Sequence, residues 1–171
     1  MKRLLNLGML LCLAAVFSST PGWCDEKGPS AKIKAGAIQV AAIQAEDIPV
    51  PQEFRVALYE RLIQQLEKRG FQQVYRDGDH GAASVPGLIV LHSTVRGFKK
   101  GSEMARNVTT VAGATSISVH CQFTDADGKD VLERDVIGKV RFFGGNLRAT
   151  YDFAKKASHI AYENFSTTTS K

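Results

Sequence analysis

Few side chains in this sequence could bind a metal ion, and their spacing is not that of a metal site. The candidate ligands are His80, His92, His120, His159 and Cys121. No two histidines have the i, i+4 spacing of paired ligands, and His120 and Cys121, adjacent on a predicted strand, face opposite sides of it. The sequence therefore predicts no metal ion and no other cofactor. Surface histidines and a buried cysteine are the simpler interpretation.

The motifs of nucleophilic and acid–base catalysis are also missing. The sequence contains no Gly-x-Ser-x-Gly elbow and no Ser-x-x-Lys motif in a suitable context. Cys121 lies among apolar residues, which indicates a buried and unreactive thiol. Asp125, Asp127 and Asp130 flank a predicted turn, and they are too few for a calcium loop. We therefore predict no catalytic residues.

A glycine pair before the last predicted helix could provide backbone donors for an anion. Gly144 and Gly145 precede Asn146, the predicted N-cap, and Arg148 follows. Free N–H groups at a helix N-terminus bind anions. The lysine and hydroxyl residue of a phosphate-binding loop are absent. The alternative is a glycine turn that only lets the chain pass from a strand into a helix.

A second candidate binding segment is the aperiodic stretch 97–113, predicted as a long loop. With the residue before it, this segment carries four basic side chains, Arg96, Lys99, Lys100 and Arg106. Long aperiodic loops are often functional, and clustered positive charge attracts acidic partners. The segment could thus bind an acidic polymer or lipid head groups. A solvated loop is the alternative.

Two amphipathic helices must support these segments. The first is predicted over residues 51–69, because apolar residues recur at every fourth position, at Phe54, Leu58, Leu62 and Leu66. A proline at its start and a glycine after its end suit helix termini. The second is predicted over residues 146–165, with a buried stripe at Leu147, Tyr151, Ala154, Ser158, Ala161 and Phe165.

Five short strands complete the predicted domain. Their ranges are 35–43, 71–76, 88–95, 115–124 and 131–143. The fourth alternates strictly between apolar and polar residues, as expected of a half-buried antiparallel strand. Gly138 in the fifth suggests a bulge or a bend. The order β-α-β-β-β-β-α predicts a two-layer α+β domain, with both helices on one face of a mixed sheet of about five strands.

Length and composition agree with one globular domain. The chain has 171 residues, of which 44% are hydrophobic and 23% charged, and this excludes a disordered chain. Three cysteines are too few for a disulfide scaffold. We predict a domain over residues 35–165, with a flexible polar lead at 25–34 and a frayed tail at 166–171.

Residues 1–24 have the three-part layout of a secretory signal peptide. Lys2 and Arg3 form a positive start, an apolar run extends to Phe17, and small, helix-breaking residues follow. The apolar run is shorter than the about 20 residues that span a bilayer, which favours cleavage over an uncleaved anchor. Cleavage removes two of the 22 basic residues and lowers the net charge from +5 to +3.

Cys24 raises the question of a lipoprotein, in which the lipidated cysteine follows a small residue. Here Trp23 precedes Cys24, and Pro21 lies three positions before it, which is a poor match. The sequence therefore favours a periplasmic or secreted protein over an outer-membrane lipoprotein. Membrane association through Cys24 stays open, as does the cleavage position within residues 20–24.

Several segments together resemble a known family. They are residues 53–62, 70–74, 95–101, 125–132 and 143–145, followed by an alanine-containing terminal helix. In this layout the chain resembles an uncharacterised family of bacterial cell-envelope proteins, many of them lipoproteins. That family is similar in layout to the N-terminal domain of TolB and to curli-type outer-membrane lipoproteins. The resemblance covers residues 35–165 and implies an envelope binding or assembly module without a known reaction.

We predict an exported, non-enzymatic envelope module that binds an envelope protein or an acidic envelope polymer. The candidate binding residues are Arg96, Lys99, Lys100, Arg106, Gly144, Gly145 and Arg148. A nucleic acid is not an expected partner, because an exported protein rarely meets one and the mature charge is small. The alternative is a small-ligand-binding protein or a metal-dependent enzyme that uses the turn at Gly144 and Gly145.

Overall fold

The computed structural model describes residues 31–102, 104, 113–140 and 145–167. The predicted signal peptide at 1–24, with Cys24, lies outside these residues. So do most of the predicted lead and most of the predicted tail. Arg106 and Gly144, two of the predicted binding residues, lie outside them as well. Nothing in the fold therefore tests those predictions.

The described residues form eight strands, two α-helices and a short 3-10 helix, which confirms the α+β class. The strands are β1 (Ile33–Ala35), β2 (Ala37–Val40), β3 (Gln44–Ala45), β4 (Val74–Tyr75), β5 (Leu88–Lys99), β6 (Thr115–Asp125), β7 (Asp130–Val140) and β8 (Phe165–Thr167). The α-helices are α1 (Gln52–Lys68) and α2 (Arg148–Asn164), and the 3-10 helix spans Ala82–Ser84.

A mixed sheet forms one layer of the domain, and α1 and α2 pack against one face of it. The strand order is β4-β2-β5-β6-β7, with β3 beside β5. β4, β2 and β5 run parallel, whereas β5, β6 and β7 are antiparallel neighbours. Apolar residues of both helices and of this sheet face form one buried cluster. The other face, which we call the open face, carries mostly polar side chains on β5–β7.

The two ends of the domain are paired strands, and this corrects the predicted lead and tail. β1 and β8 form a separate parallel pair in which Ile33 aligns with Phe165. Four residues of the predicted flexible lead at 25–34 and frayed tail at 166–171 lie in these strands. For those four residues the prediction of a flexible chain is therefore wrong. The pairing depends on the buried Phe165 ring, which packs at 5.3 Å from Phe123. Local polarity does not reveal such a long-range contact.

Helix α1 confirms the stripe predicted from its sequence. Its buried residues include Phe54, Leu58, Leu62 and Leu66. Glu53 lies in the first turn and Lys68 in the last, where each charge complements the helix dipole. On the outer surface Arg76 donates to both carboxylate oxygens of Glu60, at 2.6 and 2.8 Å, and ties α1 to the segment after β4. These hydrogen bonds lower the pKa of Glu60.

Helix α2 presents a different stripe to the core from the predicted one. Leu147 and Tyr151 are 45% and 41% exposed, whereas Phe153 is fully buried. The predicted members from Ala154 onward are buried, but the prediction for Leu147 and Tyr151 is wrong. The reason is that small residues let α2 lie close to the sheet, so its packed face is rotated toward its alanines. Its buried residues are Ala149, Thr150, Phe153, Ala154, Ala157, Ser158 and Ala161.

Gly138 marks the closest contact of α2 with the sheet. A Cβ at this position would collide with the carbonyl oxygen of Ala149 and lie 2.7 Å from Cβ of Phe153. Gly138 pairs in register with Ile117, so the predicted bulge at Gly138 is wrong. The glycine is needed because the helix backbone comes this near to the strand.

β5 extends four residues beyond its predicted end. The sequence predicts a strand at 88–95 and a loop from 97, but the strand continues to Lys99. A bulge between Val95 and Gly97 adds one residue, so Val95 and Phe98 both face the helices although they are three apart. The Phe98 ring packs edge-on against Phe54 at 4.7 Å. An extra residue breaks the period of two, and for that reason the alternation pattern misses this end of the strand.

Candidate functional site

The structure separates the predicted binding residues into two groups. Arg96 and Lys99 lie in β5 on the open face of the sheet. The guanidinium of Arg96 is 3.8 Å from the Asp135 carboxylate, which also contacts Nδ1 of His120 at 2.9 Å. Arg96 therefore faces a carboxylate of its own domain. Lys99, which the sequence places in the loop 97–113, is instead the last residue of β5, so that part of the loop prediction is wrong.

The second group is formed by Lys100, Gly145 and Arg148, which line a surface that we call the helix-end groove. Two adjoining hollows of about 380 and 300 Å³ form it, and both include Gly145 and Leu147. The lining residues are Glu53, Phe54, Ala57, Arg61, Lys100, Gly145, Asn146, Leu147, Arg148, Thr150 and Tyr151. Two weak sequence signals, the basic segment and the glycine turn, thus converge in space.

A buried threonine holds the two segments together. The N–H of Gly101 donates to Oγ1 of Thr115 at 3.0 Å, and Thr115 in turn donates to Oδ1 of Asn146 at 2.6 Å. Thr115 has no exposed surface. The end of β5, the start of β6 and the turn before α2 are therefore fixed to one another, which places Lys100 beside Leu147.

Asn146 does not cap α2 as predicted. The helix begins after Leu147, which is the N-cap residue and makes no side-chain capping hydrogen bond. The N–H groups of Arg148, Ala149 and Thr150 donate instead to the carbonyls three residues earlier. Because these donors are already satisfied, they do not form the backbone anion site that the glycine pair suggested. An acidic group in this groove would be bound by side chains.

The charge of the helix-end groove is mainly positive. Arg61, Lys100 and Arg148 line it, and among the lining residues that the structure describes Glu53 is the one carboxylate. All four side chains belong to exposed residues. Both helices begin at this end of the domain, so the positive ends of their dipoles add to the potential. The arrangement favours an acidic partner.

The same groove has an apolar component. Leu147 and Tyr151 project from the start of α2 and remain nearly half exposed. Tyrosine and arginine side chains are enriched in protein-binding surfaces, and Leu147 adds apolar area beside them. The described lining residues thus combine positive charge with exposed apolar surface, which suits binding of a charged, partly apolar group.

Several of the histidines and turn aspartates have structural partners. Among the described residues, no group of three or more His, Cys, Asp or Glu side chains could hold a metal ion. His159 lies 3.1 Å from Glu163 one helical turn away. The carboxylate of Asp125 accepts hydrogen bonds from the N–H groups of Asp127 and Lys129, at 3.0 and 2.9 Å. This aspartate therefore closes the hairpin turn, as the turn interpretation predicts.

Cys121 is buried in the core, as the alternation of β6 predicts. Burial raises the pKa of its thiol from 9.0 to about 12. We expect the native protein to react with a thiol reagent at neutral pH at least about a hundredfold more slowly than the unfolded protein, because few thiolates form and access is blocked. Mass spectrometry of the peptide containing residue 121, after timed alkylation, measures this ratio. Comparable native and unfolded rates would contradict the burial of this thiol.

A larger cleft lies at the opposite end of β5, and none of its lining residues is among the predicted binding residues. It has a volume of about 620 Å³ and lies beside Gly36 and Gly87. A local signal existed in the Pro86–Gly87 pair directly before β5. This pair forms a cleft only together with Gly36, which is remote in sequence. The cleft could therefore not be predicted from either segment alone.

Comparisons with known proteins bear on the fold. No protein-family model and no curated protein matches the sequence. Among solved structures, the chain aligns with a PelC dodecamer from Paraburkholderia phytofirmans at 13% identity, over 81% of this chain and 94% of that chain, with a TM-score of 0.57. In fold, this chain is similar to PelC. At this identity the likeness to PelC concerns the fold alone.

Two further solved structures align less well. A DUF330 protein from Xanthomonas campestris covers 79% of this chain at 14% identity, with 91% of that chain covered and a TM-score of 0.48. A lipoprotein-like protein from Caulobacter crescentus covers 71% at 18% identity, with 85% of that chain covered and a TM-score of 0.37. The resemblance to TolB and to curli-type lipoproteins stays a prediction. Within the described ranges, no helix is long and apolar enough to cross a bilayer.

Proposed function

We propose that this chain is an exported module of the cell envelope that binds an acidic protein segment in the helix-end groove. The observation that carries the proposal is the convergence of Lys100 and Arg148 with the exposed Leu147 and Tyr151. The signal-peptide layout of residues 1–24 supports export. The absence of catalytic motifs in the sequence supports a binding role.

Charge complementarity selects an acidic partner. The described lining of the groove has three cationic side chains and one carboxylate, and a partner carboxylate would be attracted by both helix N-termini as well. The three cations come from α1, from the end of β5 and from the start of α2. Because Thr115 joins the segments that carry Lys100 and Arg148, the backbone positions of these two cations stay fixed when the partner binds, which reduces the entropic cost of binding.

The apolar side chains favour a protein segment over a polysaccharide. Leu147 offers no hydrogen bond to sugar hydroxyls, but it can bury the apolar side chains that an acidic peptide carries between its carboxylates. Tyr151 adds a large surface with few rotatable bonds. An acidic envelope polymer would use the cations and leave Leu147 without a partner.

The double variant K100E/R148E tests the proposal. Reversing both charges is expected to reduce recovery of the partner from envelope extracts by about tenfold or more, since two attractive contacts become repulsive. Raising the salt concentration should weaken wild-type binding as well. The matched control is K129E/K155E, which reverses two exposed lysines outside the groove and should leave recovery unchanged.

Two results would contradict this function. One is equal recovery of the same proteins by wild type and by K100E/R148E. The other is salt-sensitive enrichment of an acidic polysaccharide with no protein, which would assign the groove to a polymer. A third variant, L147S, separates these partners, because it should weaken binding of a protein segment and leave binding of a polymer intact.

The likeness to PelC favours a second candidate, self-assembly. The aligned PelC structure is a dodecamer, and the chain covers 94% of the PelC chain. In this alternative, the acidic segment in the groove belongs to a second copy of the same chain, and head-to-tail contacts of this kind close into rings. Light scattering of the purified exported protein distinguishes the two, since a ring that K100E/R148E dissociates supports self-assembly and a wild-type monomer excludes it.

A further inference from the structure

The cleft at the start of β5 is a second concave site, separate from the helix-end groove. Its volume of about 620 Å³ lies in the range of small-molecule sites. Its walls come from the start of β2, from the segment before β4 and from residues 84–87. The lining residues are Lys34, Gly36, Ala37, Phe71, Gln72, Gln73, Ser84, Val85, Pro86 and Gly87.

The walls of the cleft are held by backbone contacts. The N–H of Gly36 donates to the carbonyl of Gly87 at 2.9 Å. A Cβ on Gly36 would collide with the carbonyl oxygen of Pro86, so only glycine allows this approach. Gly87 has a φ of 74°, which favours glycine as well. The backbone wall of the cleft at Gly36 and Gly87 is thus preformed.

The cleft has an apolar floor and a polar rim. Ala37 and Phe71 are each 3% exposed and form the floor with Val85 and Pro86. Lys34, Gln72 and Gln73 belong to the rim. In the part of the chain that the structure describes, no hydrogen bond or ion pair engages these three rim side chains, and each residue is exposed.

The charge of the rim selects the sign of a ligand. Lys34 is the only charged side chain among the described lining residues, and no aspartate or glutamate accompanies it. The two glutamine amides can donate hydrogen bonds to carboxylate oxygens. An apolar body on the floor and one negative charge at the rim would satisfy both parts of the cleft.

We propose that this cleft binds a small amphipathic carboxylate, that is, a molecule with an apolar body and one carboxylate group. The ammonium of Lys34 pairs with the carboxylate, and the amides of Gln72 and Gln73 fix its orientation. The apolar body displaces water from Phe71, Val85 and Pro86. This inference goes beyond the proposed function, because β5 runs between the two sites from Leu88 to Lys99.

Three probes with the same apolar chain test the proposal: octanoate, octanol and octylammonium. Each is titrated into the purified exported protein and followed by amide chemical shifts in two-dimensional NMR. We expect saturable shifts at residues 34–37, 71–73 and 84–87, with octanoate binding about five-fold more tightly than octanol and octylammonium weakest. The helix-end groove should show no shifts, so failure of this site leaves the proposed function untouched.

Variants of the rim sharpen the test. K34E should reverse the order, so that octylammonium binds more tightly than octanoate, whereas the control K155E should keep the wild-type order. Q72W should fill the cleft and abolish binding of all three probes. Equal affinity for the three head groups, shifts outside the cleft, or no saturation would each overturn the proposal. None of these outcomes depends on a variant folding, because the wild-type series already ranks the head groups.

Discussion

Replacing Gly138 by alanine is expected to lower the free energy of unfolding by about 3 kcal/mol. The new methyl group would meet the carbonyl of Ala149 and lie 2.9 Å from the backbone nitrogen of Phe153. Backbone atoms cannot rotate away as a flexible side chain does, so α2 would have to move off β7. Urea unfolding monitored by circular dichroism measures the change, and the m-value shows whether the native state has loosened.

Gly97 provides the matched control for this substitution. It is also a strand glycine, but a Cβ there would lie 3.5 Å from Cβ of Ser118, an ordinary contact. G97A should therefore leave stability unchanged or raise it by about 0.5 kcal/mol through the lower entropy of the unfolded chain. If G138A and G97A had equal effects, the close packing of α2 on β7 would be wrong.

Replacing Phe153 by alanine is expected to cost about 3–5 kcal/mol, the largest effect of a single substitution that we predict. The Phe153 side chain has no exposed surface and lies in the main apolar cluster between α2 and the sheet. Its removal leaves a cavity that the rigid neighbouring strands cannot fill. Because domains of this size are stable by about 5–15 kcal/mol, F153A should unfold at a much lower urea concentration.

Tyr151, two residues earlier on the same helix, is the control for Phe153. The sequence pattern places Tyr151 on the buried stripe, whereas the structure leaves it 41% exposed. Y151A should change stability by no more than about 0.5 kcal/mol. Equal losses for F153A and Y151A would mean that α2 is rotated toward the face that the sequence pattern suggested.

The G138A and F153A substitutions can also be combined in one double variant. An alanine at 153 keeps the Cβ and the backbone nitrogen that a methyl group at 138 would meet. F153A should therefore not relieve the strain of G138A, so G138A should destabilise the F153A variant as well, although neighbouring residues need not have additive effects. A double variant more stable than F153A alone would show that the Phe153 ring, and not the backbone of α2, excludes a side chain at Gly138.

The elements of the fold that could be predicted are those whose hydrophobic pattern lies within a single helix or strand. The stripe of α1 and the alternation of β6 each repeat several times within one element, so both could be identified from spacing. The end of β5 was missed because one bulged residue near Arg96 shifts the alternation. The stripe of α2 was partly misassigned because the helix packs through alanines, whose small side chains give a weak pattern.

The candidate sites depended still more on tertiary structure. Lys100 and Arg148 were both identified as binding candidates, but nothing in their spacing joined them. Thr115 links their segments through Gly101 and Asn146. The sequence alone identifies this threonine only as one residue of a predicted strand. The lining of the cleft could not be predicted at all, because it combines three short segments that are far apart along the chain.

The sequence by itself determined the fold class, the buried face of α1, the inert position of Cys121 and the expectation of export, since each depends on local composition or period. The tertiary structure decided which charges share a surface. It placed Arg96 beside Asp135 on the open face and Lys100 in the helix-end groove, although the two are only four positions apart in the sequence. The physical reason is that contacts remote in sequence, such as Gly36 with Gly87 and Gly138 with α2, fix how the elements pack, and that packing alone determines which side chains meet.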